Sequence, residues 1–270
     1  GLIAMLSERV DAELLDAAGT ALRVVANFAV GIDNIDVAAC TKRGIRVTNT
    51  PGVLTDATAD LAWALILSVA RRVVEGDALV RAGTWAGWAP MQLLGLQLTG
   101  ATLGIVGAGR IGTAVGLRSQ GFGMNVLYVD GQRNALLEER GGARRVDLRE
   151  LLPVADVLTL HVPLTSASRH LIGAQQLAAM KPTGILINTA RGPIVDETAL
   201  VAALRNGRIA GAGFDVYEHE PRLTPGLDEL PNVVLLPHLG SAATATRQRM
   251  SQMVADNVLA VLEGREPPNP

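Results

Sequence analysis

The sequence has few aromatic residues, one cysteine and no excess of either charge. Phenylalanine, tyrosine and tryptophan make up 3% of the 270 residues, whereas hydrophobic residues as a whole make up 49%. Any core must therefore be aliphatic, which is typical of parallel strands that helices cover on both faces. The chain is long enough for two such cores, since a single core rarely grows beyond about 250 residues.

The scarcity of cysteine and of clustered positive charge excludes several kinds of site. Cys40 has no second cysteine to pair with, and we predict a free, buried thiol and no metal site. The formal net charge is −2, and lysine and arginine form no block. The basic surface typical of a nucleic-acid-binding protein is thus missing, and we predict no nucleic-acid partner.

Long hydrophobic runs are also missing. The most apolar stretch, residues 61–70, is far shorter than the roughly 20 residues that a membrane-spanning helix needs. No signal peptide is visible, and we expect a cytoplasmic protein without a membrane partner. Because the chain opens directly on a strand-like segment at Gly1, we also expect that the beginning of its first domain is missing.

Strand-like and helix-like segments alternate along the whole chain, which predicts an α/β fold with doubly wound parallel sheets. In the first hundred residues, strands are predicted at 2–6, 21–28 and 46–48, and helices at 11–18, 35–43 and 56–81. Further strands are predicted at 101–106, 125–130, 156–161, 184–188, 210–216 and 233–236. A long helix at 242–263 follows the last strand. We therefore predict domains at 1–98 and 99–240, and a C-terminal segment, 241–270, that returns toward the first domain.

A glycine-rich turn opens the second domain. Gly107, Gly109 and Gly112 form the pattern G-x-G-x-x-G between a predicted strand and a predicted helix. The first glycine permits a tight turn, the second lets the backbone approach a pyrophosphate, and the third permits close packing of helix on strand. Asp130 ends the next predicted strand, at about the 20-residue spacing of an acid that binds the adenosine ribose. These features predict a dinucleotide site.

The choice of dinucleotide depends on two side chains. The carboxylate of Asp130 repels a 2′-phosphate and therefore favours NAD(H), whereas Arg133 suits the 2′-phosphate of NADP(H). We predict NAD(H) or NADP(H), with NAD(H) favoured.

Three charged residues each follow a predicted strand of the second domain: Arg191, Glu220 and His238. Because ligands of open sheets bind at the carboxyl ends of strands, these side chains are expected to face one cofactor. Histidine suits the protonation of a ketone oxygen near neutral pH, and a carboxylate on its other nitrogen would orient the ring. The arginine fork can hold a carboxylate. We predict these three as catalytic residues for hydride exchange beside a carboxylate, and His161, His170 and His219 as bystanders.

Seven short motifs are spread along the chain. They are VGIDN from Val30, RGIRV from Arg43, PGVLTD from Pro51, GIVGAGRIG from Gly104, INTARG from Ile187, FDVYEHEP from Phe214 and PHLGS from Pro237. Together they resemble the D-isomer-specific 2-hydroxyacid dehydrogenases, most closely the branch of glyoxylate/hydroxypyruvate reductases. The resemblance covers essentially the whole chain. It implies a flavodoxin-like substrate domain that lacks its first strand and helix here, a Rossmann cofactor domain, and a homodimer that pairs through the cofactor domains.

The same resemblance implies the roles of individual residues. Arg191, Glu220 and His238 would be catalytic. Substrate would contact Leu6, Val30, Gly31 and Arg191, together with Trp88 of the segment WAGWAP from the partner subunit. The cofactor would contact Thr58, Gly107, Gly109, Arg110, Ile111, Gly112, Asp130, Arg133, Val162, Pro163, Thr189, Ala190, Asp215, His238 and Gly240.

The activity implied is the NAD(P)H-dependent reduction of glyoxylate or hydroxypyruvate to the D-2-hydroxy acid, glycolate or D-glycerate, with His238 as the acid/base. One departure concerns Asp130, because similar reductases that use NADPH lack an acid there. Two alternatives remain open: a dehydrogenase of D-lactate or of a bulkier 2-keto acid, and a nucleotide-sensing protein that resembles the C-terminal-binding corepressors. The sequence leaves the keto acid, the cofactor and the physiological direction undecided.

Overall fold

The computed structural model describes all 270 residues, which form ten strands and ten α-helices. The strands are β1 (Leu2–Ala4), β2 (Val24–Asn27), β3 (Arg46–Thr48), β4 (Thr102–Val106), β5 (Asn125–Val129), β6 (Arg144–Arg145), β7 (Val157–Leu160), β8 (Ile185–Asn188), β9 (Gly211–Phe214) and β10 (Val233–Leu235). The helices are α1 (Ala12–Ala18), α2 (Val37–Lys42), α3 (Thr55–Ala70), α4 (Val73–Arg81), α5 (Arg110–Arg118), α6 (Ala135–Gly141), α7 (Leu148–Leu151), α8 (Ala174–Ala179), α9 (Glu197–Arg205) and α10 (Thr244–Leu262). Short 3₁₀ turns lie at Ser119–Phe122 and Gly192–Ile194.

Both sheets are parallel throughout, which confirms the predicted fold class. The smaller sheet has the order β1-β2-β3, and the larger has the order β10-β9-β8-β7-β4-β5-β6. In the larger sheet the chain winds outward from β4 through β5 and β6 on one side and from β7 to β10 on the other. Ligands bind outside the carboxyl ends of strands at such a reversal, so the crevice to consider lies beyond β4 and β7.

Aliphatic side chains cover both faces of the larger sheet. Along β8, Ile185 and Ile187 join the core cluster that includes α3, whereas Leu186 between them joins the cluster that includes α9. This alternation follows from the two-residue period of a strand, and it leaves the strands buried on both sides. None of the ten helices combines the length and apolar character that crossing a bilayer would require.

The chain divides into two compact units, one formed by residues 1–57 with 241–270 and the other by residues 58–240. Within the first unit, Arg23 donates to the carbonyl of Val261 at 2.7 Å and to that of Leu262 at 3.0 Å. These bonds fasten β2 to the end of α10. Cys40 is fully buried in this unit and has no disulfide partner, as predicted, and burial raises the pKa of its thiol.

The second unit includes residues 58–98, which the sequence analysis assigned to the first domain. The reason lies in α3: the indole of Trp63 donates to the carbonyl of Val115 at 3.0 Å and stacks on Phe122 at 4.4 Å. Helix α3 therefore packs as part of the unit that contains the larger sheet. The domain boundary at residue 98 stays a prediction.

The helix predicted over 56–81 is two helices. α3 ends at Ala70, and Arg72 has a left-handed φ of 52° before α4 begins. A left-handed residue cannot continue a right-handed helix. Arg72 donates to both carboxylate oxygens of Glu75, at 2.9 and 2.6 Å, and this pair holds the break. The helical pattern continues across the break, so the sequence carries no sign of it. Strand β6 was also missed. It consists of two arginines and has no apolar pattern that would mark a strand.

Candidate active site

The glycine turn lies directly after β4, at the reversal of the larger sheet. Gly107 has a φ of +94°, and a Cβ there would lie 2.7 Å from the carbonyl carbon of His161. A Cβ at Gly112 would overlap the carbonyl oxygen of Gly107. A Cβ at Gly109, by contrast, would meet no heavy atom within 4 Å. Packing within the protein therefore requires the first and third glycines, whereas the second leaves space that a pyrophosphate can use. Helix α5 begins immediately afterward and presents its positive end there.

Asp130 follows β5 and reaches the same turn. Its Oδ2 accepts from the amide of Ala108 at 2.8 Å, and its Oδ1 accepts from the amide of Gln132 at 3.0 Å. Arg133 is paired with a different carboxylate: its Nε lies 2.6 Å from Oε2 of Glu138. The structure therefore brings the acid to the glycine turn and engages the arginine elsewhere. The residues present fit a nicotinamide dinucleotide at this edge.

His238 and Glu220 meet as the sequence predicts. Nδ1 of His238 lies 3.0 Å from Oε2 of Glu220, and the two side chains are 32% and 38% exposed. The other carboxylate oxygen, Oε1, accepts from the amide of Tyr217 at 3.0 Å. His238 has a left-handed φ of 56°, and its amide donates to the carbonyl of Asp215 at 2.9 Å. With Nδ1 engaged, Nε2 is the ring nitrogen available for chemistry at the sheet edge.

The charge state of Glu220 follows from its neighbours. Burial would raise the pKa of this carboxyl, but the bonds from His238 and the Tyr217 amide, together with the positive charges of His238 and Arg191, hold the pKa below its usual value. Glu220 is therefore ionised at neutral pH, as a partner for an imidazolium must be.

The backbone after His238 is fixed by a buried aspartate. Asp215 is 1% exposed and accepts from the amides of Leu239, at 2.6 Å, and Gly240, at 2.8 Å. Burial raises the pKa of this carboxyl, partly offset by those two bonds and by the charge of His238. Thr58 donates to the carbonyl of Gly240 at 3.0 Å. The structure thus shows Asp215 and Thr58 supporting the histidine loop, and their contact with cofactor stays a prediction.

Asn188 is a residue whose role the sequence analysis missed. It is the last residue of β8, fully buried, and its Nδ2 donates to the carbonyl of Arg191 at 2.9 Å while its Oδ1 accepts from the amide of Ala190 at 3.0 Å. This side chain closes the turn that carries Thr189, Ala190 and Arg191. The signal was available, since an asparagine at a strand end commonly bonds to the backbone two residues on.

Two more residues that the sequence predicts as cofactor contacts follow the strand beside β4. Val162 and Pro163 follow β7, and Cγ1 of Val162 would lie 2.8 Å from a Cβ on Gly107. His161 precedes them. Its Nε2 lies 2.9 Å from Oγ1 of Thr159, and burial lowers the pKa of its ring to about 3, so it is neutral.

Two further histidines stay outside the triad. His170 lies 2.6 Å from Oε1 of Glu218, and His219 is exposed. Their role as bystanders stays a prediction.

The first unit carries the residues that the sequence assigned to substrate. Leu6 follows β1, and Val30 and Gly31 follow β2, so all three lie beyond the carboxyl ends of the smaller sheet. The carbonyl of Val30 accepts from Asn49 at 2.8 Å and that of Gly31 accepts from Asn27 at 2.7 Å. These bonds fix the turn, and its role in substrate binding stays a prediction.

A parallel sheet with a glycine turn at its reversal and an arginine, a glutamate and a histidine at successive strand ends defines a dinucleotide-binding α/β protein. The family described as D-isomer specific 2-hydroxyacid dehydrogenase, NAD binding domain, matches residues 63–240. The chain belongs to this family.

Three relatives place the chain within the family. A glyoxylate reductase of Thermococcus litoralis is 53% identical over 272 residues, which cover 99% of this chain and 82% of that protein. The crystal structure of a Thermus thermophilus protein is similar with a TM-score of 0.94 and 53% identity, covering 100% of this chain and 85% of the other. An NADPH-dependent glyoxylate/hydroxypyruvate reductase of Sinorhizobium meliloti, solved with NADP and malonate, has a TM-score of 0.91 and 40% identity, covering 99% and 82%.

Proposed function

We propose that this protein reduces glyoxylate and hydroxypyruvate to glycolate and D-glycerate, with a reduced nicotinamide dinucleotide as the second substrate. The observation that carries the proposal is the 3.0 Å contact between His238 and Glu220, at a strand end of the sheet that holds the dinucleotide turn. The similarity to glyoxylate reductases at 53% identity across nearly the whole chain supports the choice of substrate.

The residues of the chain account for each requirement of the reaction. The cofactor, when bound, supplies a hydride to the keto carbon. His238, protonated, donates a proton from Nε2 to the carbonyl oxygen, where negative charge develops. Glu220 stabilises the imidazolium and holds its orientation through Nδ1. Arg191 binds the carboxylate of the substrate through its fork of donors.

The remaining roles are proposed on the resemblance and on position. Leu6, Val30 and Gly31 contact the substrate, with the two backbone amides on its carboxylate. The dinucleotide is held by the residues at the edge of the larger sheet, namely Thr58, Gly107, Gly109, Arg110, Ile111, Gly112, Asp130, Arg133, Val162, Pro163, Thr189, Ala190, Asp215, His238 and Gly240. We propose that the protein acts in the cytoplasm.

A panel of keto acids tests the proposed function. Purified protein is assayed with NADH and with NADPH against glyoxylate, hydroxypyruvate, pyruvate and phenylpyruvate, by the loss of absorbance of the reduced cofactor. We expect the highest kcat/KM with glyoxylate or hydroxypyruvate. A preference for pyruvate or phenylpyruvate would contradict the proposal in favour of another dehydrogenase. Tight dinucleotide binding without turnover of any acid would favour a sensing protein.

We propose NADH as the preferred cofactor, on the grounds that Asp130 lies at the glycine turn while Arg133 is paired with Glu138. A 2′-phosphate beside the Asp130 carboxylate would meet like charge, which costs several kcal/mol. The substitution Asp130→Ser is therefore expected to raise the ratio of kcat/KM for NADPH to that for NADH by at least about tenfold, since about 1.4 kcal/mol corresponds to a factor of ten. The ratio is measured with glyoxylate at saturation.

The control for this prediction is Asp147→Ser, which removes an acid before α7 and is expected to leave the ratio unchanged. Adding Arg133→Gln to Asp130→Ser should reduce the gain with NADPH. An unchanged ratio in Asp130→Ser would contradict the assignment of NADH.

We also propose a homodimer that pairs through the cofactor domains. Large hydrophobic residues cluster on the surface of one segment, namely Val73, Val74, Val80, Trp85, Trp88, Met91 and Leu94. A segment that exposes this many large apolar side chains is a candidate for a protein–protein interface. Trp88 is 83% exposed, and we propose that it contacts the substrate site of the partner subunit.

A further inference from the structure

Glu197 is a fully buried acid that the reaction does not use. It is the first residue of α9, and its exposed fraction is 0%. Acidic side chains are almost never fully buried unless they are paired or hydrogen-bonded, because burial removes the water that stabilises their charge. The place of Glu197 in the core therefore requires an explanation from its contacts.

Both oxygens of Glu197 bind the segment that carries the catalytic carboxylate. Oε1 accepts from the amide of Glu218 at 2.8 Å, and Oε2 accepts from the hydroxyl of Thr224 at 2.6 Å. Residues 218 and 224 lie on either side of Glu220 in the sequence. Between them the chain turns back on itself, with the amide of Arg222 donating to the carbonyl of His219 at 2.9 Å. One buried side chain thus fastens both ends of the loop 218–224.

The same place joins the loop to the turn that carries Arg191. Gly192 packs so closely on Tyr217 that a Cβ would overlap the carbonyl of that tyrosine. Tyr217 in turn donates from its hydroxyl to the carbonyl of Leu236 at 2.7 Å, two residues before His238. The segment that Glu197 fastens is therefore itself joined to the segments that carry Arg191 and His238.

The environment of Glu197 suits an acceptor with two oxygens. Burial raises the pKa of its carboxyl, and the bonds from Thr224 and from the Glu218 amide lower it again in part. The charge of Glu218 opposes ionisation and that of His219 favours it. The amino end of α9 also favours negative charge in its first turn. The two bonds account for the burial of this acid.

We propose that Glu197 is a positioning residue, which fixes the loop 218–224 so that Glu220 meets Nδ1 of His238. The proposal rests on the proposed function, since it concerns the orientation of the proton donor. Glu197 touches neither His238 nor Glu220 through its side chain, and it acts only through the loop.

The substitution Glu197→Ala removes both bonds. Because an error of about 1 Å in the placement of a catalytic group can cost about a hundredfold in rate, we expect kcat with glyoxylate to fall by about 10- to 100-fold. The KM should change less than about threefold, since the substrate keeps Arg191. A loosened Glu220 stabilises the imidazolium less, so the alkaline limb of the pH profile of kcat/KM should move to lower pH. The other charged residues near the pair of His238 and Glu220 are Asp215 and Arg191, and Glu197→Ala leaves both in place.

The conservative substitution Glu197→Gln separates position from charge. Its amide oxygen can accept from Glu218 and its amide nitrogen can donate to the oxygen of Thr224, so the loop remains fastened. We expect kcat within about threefold of wild type and an unmoved pH profile. A milder matched pair is Thr224→Val, which deletes one bond without a change of shape, and Thr224→Ser, which keeps it. The valine variant should show the loss and the serine variant should not.

Hydrogen exchange gives a readout that does not depend on turnover. In Glu197→Ala and Thr224→Val, the amides of residues 218–224 should exchange faster, while those of β7 and β8 keep their protection. If Glu197→Ala does not fold, the comparison of kcat between Thr224→Val and Thr224→Ser tests the proposal instead. Unchanged kcat and pH profile in folded Glu197→Ala, or equal rates for Thr224→Val and Thr224→Ser, would overturn the inference. So would an equal loss in Glu197→Gln with normal loop protection. A wild-type protein that reduces no keto acid would instead overturn the proposed function.

Discussion

Glutamine in place of His238 is expected to lower kcat for glyoxylate reduction by about 10²- to 10⁴-fold, the usual contribution of a positioned general acid. Glutamine is similar in size and can keep a hydrogen bond to Glu220, but its amide is not acidic enough to transfer a proton to the carbonyl oxygen. The loss should therefore appear mainly in kcat, with a much smaller rise in the dissociation constant of NADH, to which His238 is one of many proposed contacts. Steady-state assays at saturating cofactor, with cofactor binding measured by calorimetry, separate the two quantities.

The pH dependence of the same variant provides a second measurement. Reduction needs a protonated donor, so kcat/KM of the wild-type protein should fall when rising pH removes the proton from the donor. The pKa of Glu220 is lowered by its bonds, with burial opposing, so this carboxylate keeps its charge through the neutral range and adds no titration there. The alkaline fall should consequently disappear in His238→Gln, leaving a low and nearly flat profile.

The matched control is His219→Gln, the same change at an exposed neighbouring histidine. It should alter kcat by less than about threefold, as surface substitutions usually do. If His238→Gln retained near-native turnover, or if His219→Gln lost as much activity, the assignment of the proton donor would be wrong.

The sequence was sufficient to predict the strand ends that carry Arg191, Glu220 and His238, the residues that we propose as catalytic. Arg191, Glu220 and His238 each follow a predicted strand, and parallel strands bring their carboxyl ends to one edge whatever the details of packing. Glycine spacing predicted the dinucleotide turn for a similar reason, since the first and third glycines answer local steric demands and the second leaves open space. The contact between His238 and Glu220 could be predicted because both residues follow strands whose carboxyl ends lie at the same edge of the sheet.

The structural supports of the site were harder to predict. Glu197 follows Asp196, whose side chain caps α9 by accepting from the amide of Ala199 at 2.9 Å. In sequence the pair reads as an ordinary helix start, where a first-turn acid is expected on the surface. The burial of Glu197 depends on a loop that begins some twenty residues later, at Glu218, and no local pattern records that contact. The break at Arg72 was missed because the helical pattern continues through it.

Loss of the Arg191 guanidinium is expected to have the second large effect. In Arg191→Gln the substrate carboxylate loses two charge-assisted hydrogen bonds, worth about 1.5–3 kcal/mol each, so kcat/KM for glyoxylate should fall by at least about 10²-fold. The charge of Arg191 also helps to hold the pKa of Glu220 low, together with the bond from His238. Part of the loss can therefore appear in kcat, but most should appear as a higher KM.

Two further variants separate the contribution of the paired guanidinium donors of Arg191 from that of its positive charge. Arg191→Lys keeps the charge but lacks the planar pair of donors, so it should recover only part of the loss. Arg208→Gln removes an exposed positive charge from the same unit and should leave kcat/KM within about threefold. Full activity in both Arg191 variants would show that the substrate is held elsewhere.

The sharpest form of the test compares glyoxylate with its methyl ester, which keeps the aldehyde and lacks the charge. Wild-type protein should prefer the acid strongly, and Arg191→Gln should reduce that preference chiefly by losing the acid. Because hydride and proton transfer are common to both substrates, a change in their ratio reports the carboxylate contact alone. If the preference for the acid survives in Arg191→Gln, the backbone at Val30 and Gly31, which we propose as the second carboxylate contact, must supply most of the binding energy.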